Sequence, residues 1–174
     1  MVDSPQSMID QFRDWYDYEK DSHRKVIAAL RAVPAESQAK EGFQRAVDLL
    51  SHIVGARTMW LYRLGVISEA PQKPFPQGLS LDIVEKQLEE IENRWTEYLS
   101  SLEDSDLART FEYGSMEGPR FRNRVDEVLT QLFGHSSYHR GQIAYLVRSL
   151  GAQPAATDFI LWARQPVQQR QAGA

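Results

Sequence analysis

The chain has 174 residues, of which 42% are hydrophobic and 25% are charged, and its formal net charge is −4. This length and composition predict one globular domain, residues 1–174, with a hydrophobic core of ordinary size. The acidic balance argues against nucleic-acid binding, because that activity usually leaves a basic surface that neutralises phosphates.

The chain contains no cysteine, which excludes disulfides, thiolate metal ligands and a cysteine nucleophile. No stretch has the roughly 18 apolar residues of a membrane span, and the N-terminus does not have the pattern of a signal peptide. We therefore expect a cytoplasmic protein that acts on small molecules and does not bind a membrane.

Apolar residues recur every three or four positions along four segments, which is the pattern of amphipathic helices. The predicted helices cover approximately residues 7–32, 36–64, 81–102 and 123–150. Pro34, Gly65 and Gly151 follow three of the helix ends, as helix-terminating residues do. Ser80 is a suitable N-cap for the third helix, which follows a proline-rich loop at residues 70–78.

Residues 107–121 interrupt the helical pattern before the fourth helix. Two short extended runs flank the sequence GSMEG, which indicates a small hairpin or an irregular excursion. After the fourth helix, Thr157 is predicted to cap a short helical turn over residues 158–163. The predicted fold is therefore all-α, a four-helix bundle with this excursion and a short C-terminal helical turn.

The fourth predicted helix carries two histidines on its apolar stripe. The stripe consists of Val125, Val128, Leu132, His135, His139, Ile143, Leu146 and Leu150. His135 and His139 thus stand at core positions, where each imidazole needs a partner because an unsatisfied buried polar group costs roughly 1–3 kcal/mol. Since residues at i and i+4 project together, the two rings can reach one metal ion.

The first predicted helix has a similar anomaly, because Glu19 and His23 complete its apolar stripe at i and i+4. In an up-down-up-down bundle both would lie near mid-helix, as His135 and His139 do. One interpretation is a pair whose members satisfy each other or lie at a water-filled mouth. The other is a functional role as a general base, a fourth metal ligand or a residue that orients a ligand.

His52 lies at the rim of a broad apolar arc on the second predicted helix, just beyond Leu49 and Ala56, and Arg57 falls inside the arc. The breadth of the arc indicates a second buried contact, most simply with another subunit. The four histidines are expected at similar levels of the bundle. Imidazole suits zinc, nickel, iron, copper or manganese, and three neutral ligands would leave coordination positions open for water or substrate.

Two motifs resemble those of the DinB-like, or YfiT-like, proteins. The run GHSSYHRGQIAYLVRSLGAQPAATDFILW is similar to the C-terminal signature of that family, and LLSHIVGARTMWLYRLG is similar to its second-helix motif. The resemblance implies an up-down-down-up or related bundle, commonly a homodimer, with metal ligands at His52, His135 and His139. Tyr138 stands where many members have another histidine, and Arg57 stands near a position that is often acidic.

The resemblance also implies a function, because the metal serves thiol chemistry in the better-understood relatives. We therefore predict an enzyme that transfers a low-molecular-weight thiol to an electrophile at a divalent metal centre. The expected metal is zinc, nickel, iron or manganese. Two alternatives stay open. One is a hydrolase that uses metal-bound water with His23 or Glu19 as base, and the other is a non-enzymatic, metal-stabilised or stress-related dimeric bundle.

Overall fold

The structure is a computed structural model that describes residues 6–116 and 118–165. Its elements in chain order are α1 (Met8–Arg31), α2 (Ala35–Gln38), α3 (Glu41–Arg63), α4 (Leu81–Ser101), α5 (Asp104–Leu107), β1 (Thr110–Gly114), β2 (Arg120–Arg124), α6 (Val125–Ser149) and α7 (Phe159–Ala163). The long helices α1, α3, α4 and α6 enclose the hydrophobic core. The predicted all-α bundle, with a hairpin before its last long helix and a short C-terminal helix, is confirmed.

Within these ranges, the helices lack the combination of length and apolar character needed to cross a membrane.

Local capping explains several helix boundaries. The Ser7 and Ser80 hydroxyls accept hydrogen bonds from the backbone N–H groups of Asp10 and Ile83, and the predicted cap at Ser80 is thus confirmed. Three boundary predictions were wrong, each for a local reason.

The second predicted helix is broken near its start. Lys40 has an extended backbone, with φ −81° and ψ 148°, so the short α2 ends before α3 begins. At the start of α6, Asn123 belongs to β2, where it pairs with Phe111. At α7 the N-cap position is Asp158, and the carbonyl of Thr157 instead accepts a hydrogen bond from the Tyr18 hydroxyl.

The proline-rich loop between α3 and α4 runs back along α3. Ser51 Oγ donates a hydrogen bond to the Pro76 carbonyl at 3.0 Å. Asp48 Oδ1 accepts one from the Gly78 N–H at 2.8 Å, and Gln44 Nε2 donates one to the Leu79 carbonyl at 3.0 Å. Along these three contacts the residue number rises in the loop and falls in α3. The loop therefore returns toward the start of α3, and α4 begins there and runs parallel to α3.

Contacts at the helix ends define the other directions. Arg31 at the end of α1 forms ion pairs with Asp82 and Glu85 at the start of α4, so these two helices are antiparallel. Gly42 at the start of α3 lies beside Leu150, directly after α6, so α3 and α6 are also antiparallel. The helices therefore run up, down, down and up, as the resemblance implied.

The hairpin covers part of the broad apolar arc of α3. The loop packs against the helix at Gly55, and the Trp60 ring contacts Phe111 and Tyr113 of the hairpin, with centroids 6.5 and 5.1 Å apart. The hairpin thus covers one edge of the arc at Trp60, while the loop covers the other side of α3 at Gly55.

Replacing Gly55 with alanine should displace the loop, because the added Cβ would lie 1.8 Å from the Pro74 carbonyl oxygen. We expect the free energy of unfolding to fall by roughly 1–3 kcal/mol, as for other overpacked sites. Urea denaturation measures this change.

Gly42→Ala is the matched control on the same helix. Its Cβ would meet Leu150 at an ordinary 3.6 Å, so stability should stay unchanged or rise by up to about 1 kcal/mol. Equal stabilities of the two variants would contradict the close approach of the loop.

Candidate metal centre

Three histidine side chains meet where α3 and α6 pack against each other. His52 extends from α3, and His135 and His139 extend from successive turns of α6. The Nε2 atom of His135 lies 3.1 Å from that of His52 and 3.2 Å from that of His139. All three side chains are half-buried, and their ligand atoms lie within 4.8 Å of one another.

Hydrogen bonds among the three rings cannot satisfy all of their Nε2 atoms at once. A neutral imidazole nitrogen either donates one proton or offers one lone pair, so His135 Nε2 can pair fully with only one of its two neighbours. A cation at the centre would satisfy all three nitrogens together. Tetrahedral zinc, with Zn–N distances of about 2.0–2.1 Å, would separate its ligand nitrogens by about 3.3 Å, close to the observed spacing.

The surroundings orient one of the imidazoles for such a cation and lower the pKa of the other two. His139 Nδ1 hydrogen-bonds to Gln142 Oε1 at 2.7 Å, an arrangement in which the proton sits on Nδ1 and Nε2 keeps its lone pair. Burial, with the neighbouring His139 and His52, lowers the pKa of His135 to about 4. Burial and the nearby His139 likewise lower the pKa of His52. The three histidines are thus positioned to bind a metal ion.

The histidines do not occupy the core of the bundle, contrary to the stripe prediction for the fourth helix. Ser136 and Arg140 are the buried residues on that part of α6, and the imidazoles project beside them. Ser136, Arg140, Ile143 and Val147 are spaced by three or four residues, like the predicted stripe. Hydrophobicity alone therefore could not select this face, because a serine and an arginine lie on it.

A buried ion cluster lies on this interior face and joins three helices. Glu19 of α1 is 0% exposed and accepts hydrogen bonds from Arg57 of α3, at 2.5 Å, and from Arg140 of α6. Burial alone would raise the pKa of Glu19, but Arg57, His23 and Arg140 hold it below its ordinary value. Arg57 also donates to Ser136 Oγ at 3.2 Å, directly beside His135.

His23 lies in the interior with Glu19, apart from the three clustered histidines. It is 1% exposed, and its Nδ1 forms a 2.8 Å hydrogen bond with Glu92 Oε1 of α4. Its Nε2 lies 3.9 Å from Glu19 Oε2 and has no hydrogen-bond partner among the described residues. Burial lowers the pKa of His23 to about 3 and raises the pKa of Glu92 to about 7.

Several residues of this region were not predicted from the sequence, namely Phe75, Glu92, Ser136, Arg140 and Gln142. For Arg140 a signal existed, because Arg57 inside an apolar arc and Glu19 on an apolar stripe both require a charged partner. For Phe75 there was none, since it reaches His52 only through the course of the loop.

A separate cavity of about 570 Å³ lies between α3, the loop and α4. Ser51, Thr58, Lys73 and Arg94 are among its lining residues, but the three clustered histidines are not. We therefore place the candidate chemistry at the three histidines, where nitrogen atoms converge, and not in this cavity.

Acidification is expected to destabilise the protein through His23. Its pKa is about 3 in the folded protein and about 6.5 in an unfolded chain. Between these values the unfolded state binds more protons, so the stability is present above about pH 6.5 and is lost as the pH falls toward 3. This residue should contribute a loss on the order of 1 kcal/mol per pH unit.

Glu92 has the opposite effect on how stability depends on pH. Its raised pKa gives stability that is lost as the pH rises through about 7. The test therefore uses metal-free Glu92→Gln protein, in which the histidine of this pair titrates alone. Urea unfolding at pH 7, 6 and 5 gives the free energy of unfolding of this variant and of Glu92→Gln/His23→Gln. The single variant should be the more stable at pH 7, and the difference should shrink as the pH falls. A constant difference would contradict the buried neutral histidine.

Comparisons with known proteins show which family this chain resembles along most of its length. Protein DinB of Bacillus subtilis (strain 168) is 25% identical over 158 residues, which are 84% of this chain and 90% of that protein. The crystal structure of a DinB-like protein from Bacillus cereus ATCC 10987 has a similar fold, with a TM-score of 0.64 and 23% identity over 88% of this chain and 99% of that chain. The model of the DinB family matches residues 6–171. This chain therefore belongs to the DinB family.

Proposed function

We propose that this protein is a metal-dependent enzyme that transfers a low-molecular-weight thiol to an electrophilic small molecule. The observation that carries the proposal is the convergence of three imidazole Nε2 atoms, which cannot all be paired by hydrogen bonds among the three rings but can all bind one divalent cation. His52, His135 and His139 would hold the ion and leave coordination positions open.

The thiol is proposed from the chemistry of the site and from the resemblance to the family. A divalent metal at three neutral histidines would stabilise a bound thiol in its reactive, deprotonated form at neutral pH. Because the chain has no cysteine, that thiol must be supplied by a small molecule. Zinc, nickel, iron and manganese are the proposed ions, since imidazole suits all of them.

We further propose that the protein is cytoplasmic, and that it forms a homodimer as the family resemblance implies. Size-exclusion chromatography with light scattering measures the assembly directly.

For Glu19 we propose a positioning role in preference to that of a general base. Both of its carboxylate oxygens are engaged by guanidinium groups, and the side chain is 0% exposed. Through Arg57 and Arg140 it connects the two helices that carry the histidines. His23 supports the same interior cluster from α1, between Glu19 and Glu92.

The first test is the metal content of the protein. Tag-free wild-type protein, reconstituted with Zn²⁺ and dialysed, should contain one ion per chain by elemental analysis. His135→Ala should lose stoichiometric binding yet keep its helical circular dichroism, because the removed side chain lies beside the core and not in it.

Ser137→Ala is the matched control, since it changes an exposed residue on α6 between the two ligands of that helix. Wild-type protein without stoichiometric metal after reconstitution would overturn the proposal. An apo protein that unfolds would instead favour the metal-stabilised, non-enzymatic bundle.

Screening bacillithiol, mycothiol and glutathione with chlorodinitrobenzene then tests thiol transfer, and His135→Ala should abolish turnover.

The second test concerns Glu19. Glu19→Gln leaves two buried guanidinium groups without a carboxylate, so stability should fall by roughly 3–5 kcal/mol. Metal affinity should fall roughly 10–100-fold, as when a residue that orients metal ligands is removed. The absorption spectrum of bound Co²⁺ should also change, which reports ligand geometry independently of stability.

Glu92→Gln is the control, because it alters the same interior network from α4, which carries none of the three ligands. It should lower stability and leave the Co²⁺ spectrum unchanged. Glu19→Asp keeps the charge and serves if Glu19→Gln does not fold. An unaltered Co²⁺ spectrum and affinity in a folded Glu19 variant would refute the positioning role.

A further inference from the structure

Two aromatic rings flank the histidine cluster at the protein surface. The Phe75 ring lies against His52, with centroids 4.5 Å apart, and the Tyr138 ring lies against His139 at 5.1 Å. Phe75 is 39% exposed and Tyr138 is 65% exposed. One ring therefore stands beside the ligand from α3, and the other beside a ligand from α6.

Both rings lie outside the buried core of the bundle. The loop that carries Phe75 is held by neighbouring groups, namely the Pro76 carbonyl on Ser51, the Gly78 N–H on Asp48 and the close approach of Pro74 to Gly55. Tyr138 extends from the outer side of α6, away from the buried Ser136 and Arg140. The loop backbone is thus anchored beside Phe75, and much of the surface of both rings is open to solvent.

The direction in which the site opens follows from the burial of its neighbours. Behind the imidazoles lie Arg57, Ser136 and Arg140, which are buried and paired with one another or with Glu19. No open coordination position can face that packed interior. A molecule that binds the metal must therefore approach from the exposed side, where the rings of Phe75 and Tyr138 stand.

We infer that this site selects metal-binding small molecules that carry a flat aromatic group, and that Phe75 and Tyr138 determine this specificity. The inference rests on the proposed metal site. Edge-to-face or offset contact with such rings, at centroid separations of about 4.5–7 Å, stabilises a bound aromatic group. This binding free energy adds to that from the burial of apolar area. A small aliphatic ligand would leave both rings exposed and would gain little from them.

The test compares two probes on the Co²⁺-loaded full-length protein. Acetohydroxamate and benzohydroxamate share one metal-binding group and differ by a methyl against a phenyl group. Titration followed by the Co²⁺ absorption spectrum gives both dissociation constants. We expect wild-type protein to favour benzohydroxamate, and Phe75→Ala and Tyr138→Ala each to reduce that preference roughly three- to tenfold.

The matched control is Tyr145→Ala, which removes a tyrosine that is 74% exposed and lies on α6 two turns beyond Tyr138. It should leave the ratio of the two constants unchanged, and none of the three variants should alter Co²⁺ affinity by more than about twofold.

Equal ratios in wild-type protein and both variants, with Co²⁺ binding intact, would overturn the inference and leave the proposed metal site standing. A change of oligomeric state in Tyr138→Ala would overturn the assignment of that ring, because the ring would then belong to a subunit interface. Failure of wild-type protein to bind Co²⁺ would overturn the proposed function itself, which is a distinguishable result.

Discussion

The interior of this bundle is organised by one buried carboxylate that two guanidinium groups share. Glu19 reaches Arg57 on one side and Arg140 on the other, and so joins α1, α3 and α6 at one level. Removing one partner from a buried ion cluster leaves an uncompensated charge in a medium of low polarity, which is strongly unfavourable. The cluster therefore restricts how α3 and α6 can slide or rotate relative to each other.

That restriction matters because the same two helices carry the three histidines on their outer side. Arg57 follows His52 by little more than one turn of α3, while Ser136 and Arg140 each follow a clustered histidine directly on α6. Inside, every carboxylate oxygen of Glu19 has a donor. Outside, three imidazole nitrogens face one another and cannot all be paired by hydrogen bonds among themselves. The buried ion cluster thus holds in place three imidazole nitrogens that are positioned to bind a metal ion.

The course of the chain supplies the remaining part of the site. The loop returns along α3 before α4 begins, which makes α3 and α4 parallel and brings Phe75 to His52. Because α3 and α6 are antiparallel, His52 in mid-helix meets His135 and His139 in mid-helix. The absence of a side chain at Gly55 allows the loop to approach this closely.

The sequence by itself determined the four long helices, the hairpin, the C-terminal turn and the pairing of His135 with His139, since local spacing and capping encode these features. It also marked Glu19 and His23 as anomalous. Only the tertiary structure decided that Arg140 and Ser136 face the interior, that His52 lies beside the other two histidines, and that Phe75 lies against His52. These depend on helix rotation and on contacts between distant segments, which a local hydrophobic pattern cannot encode when buried charges satisfy one another.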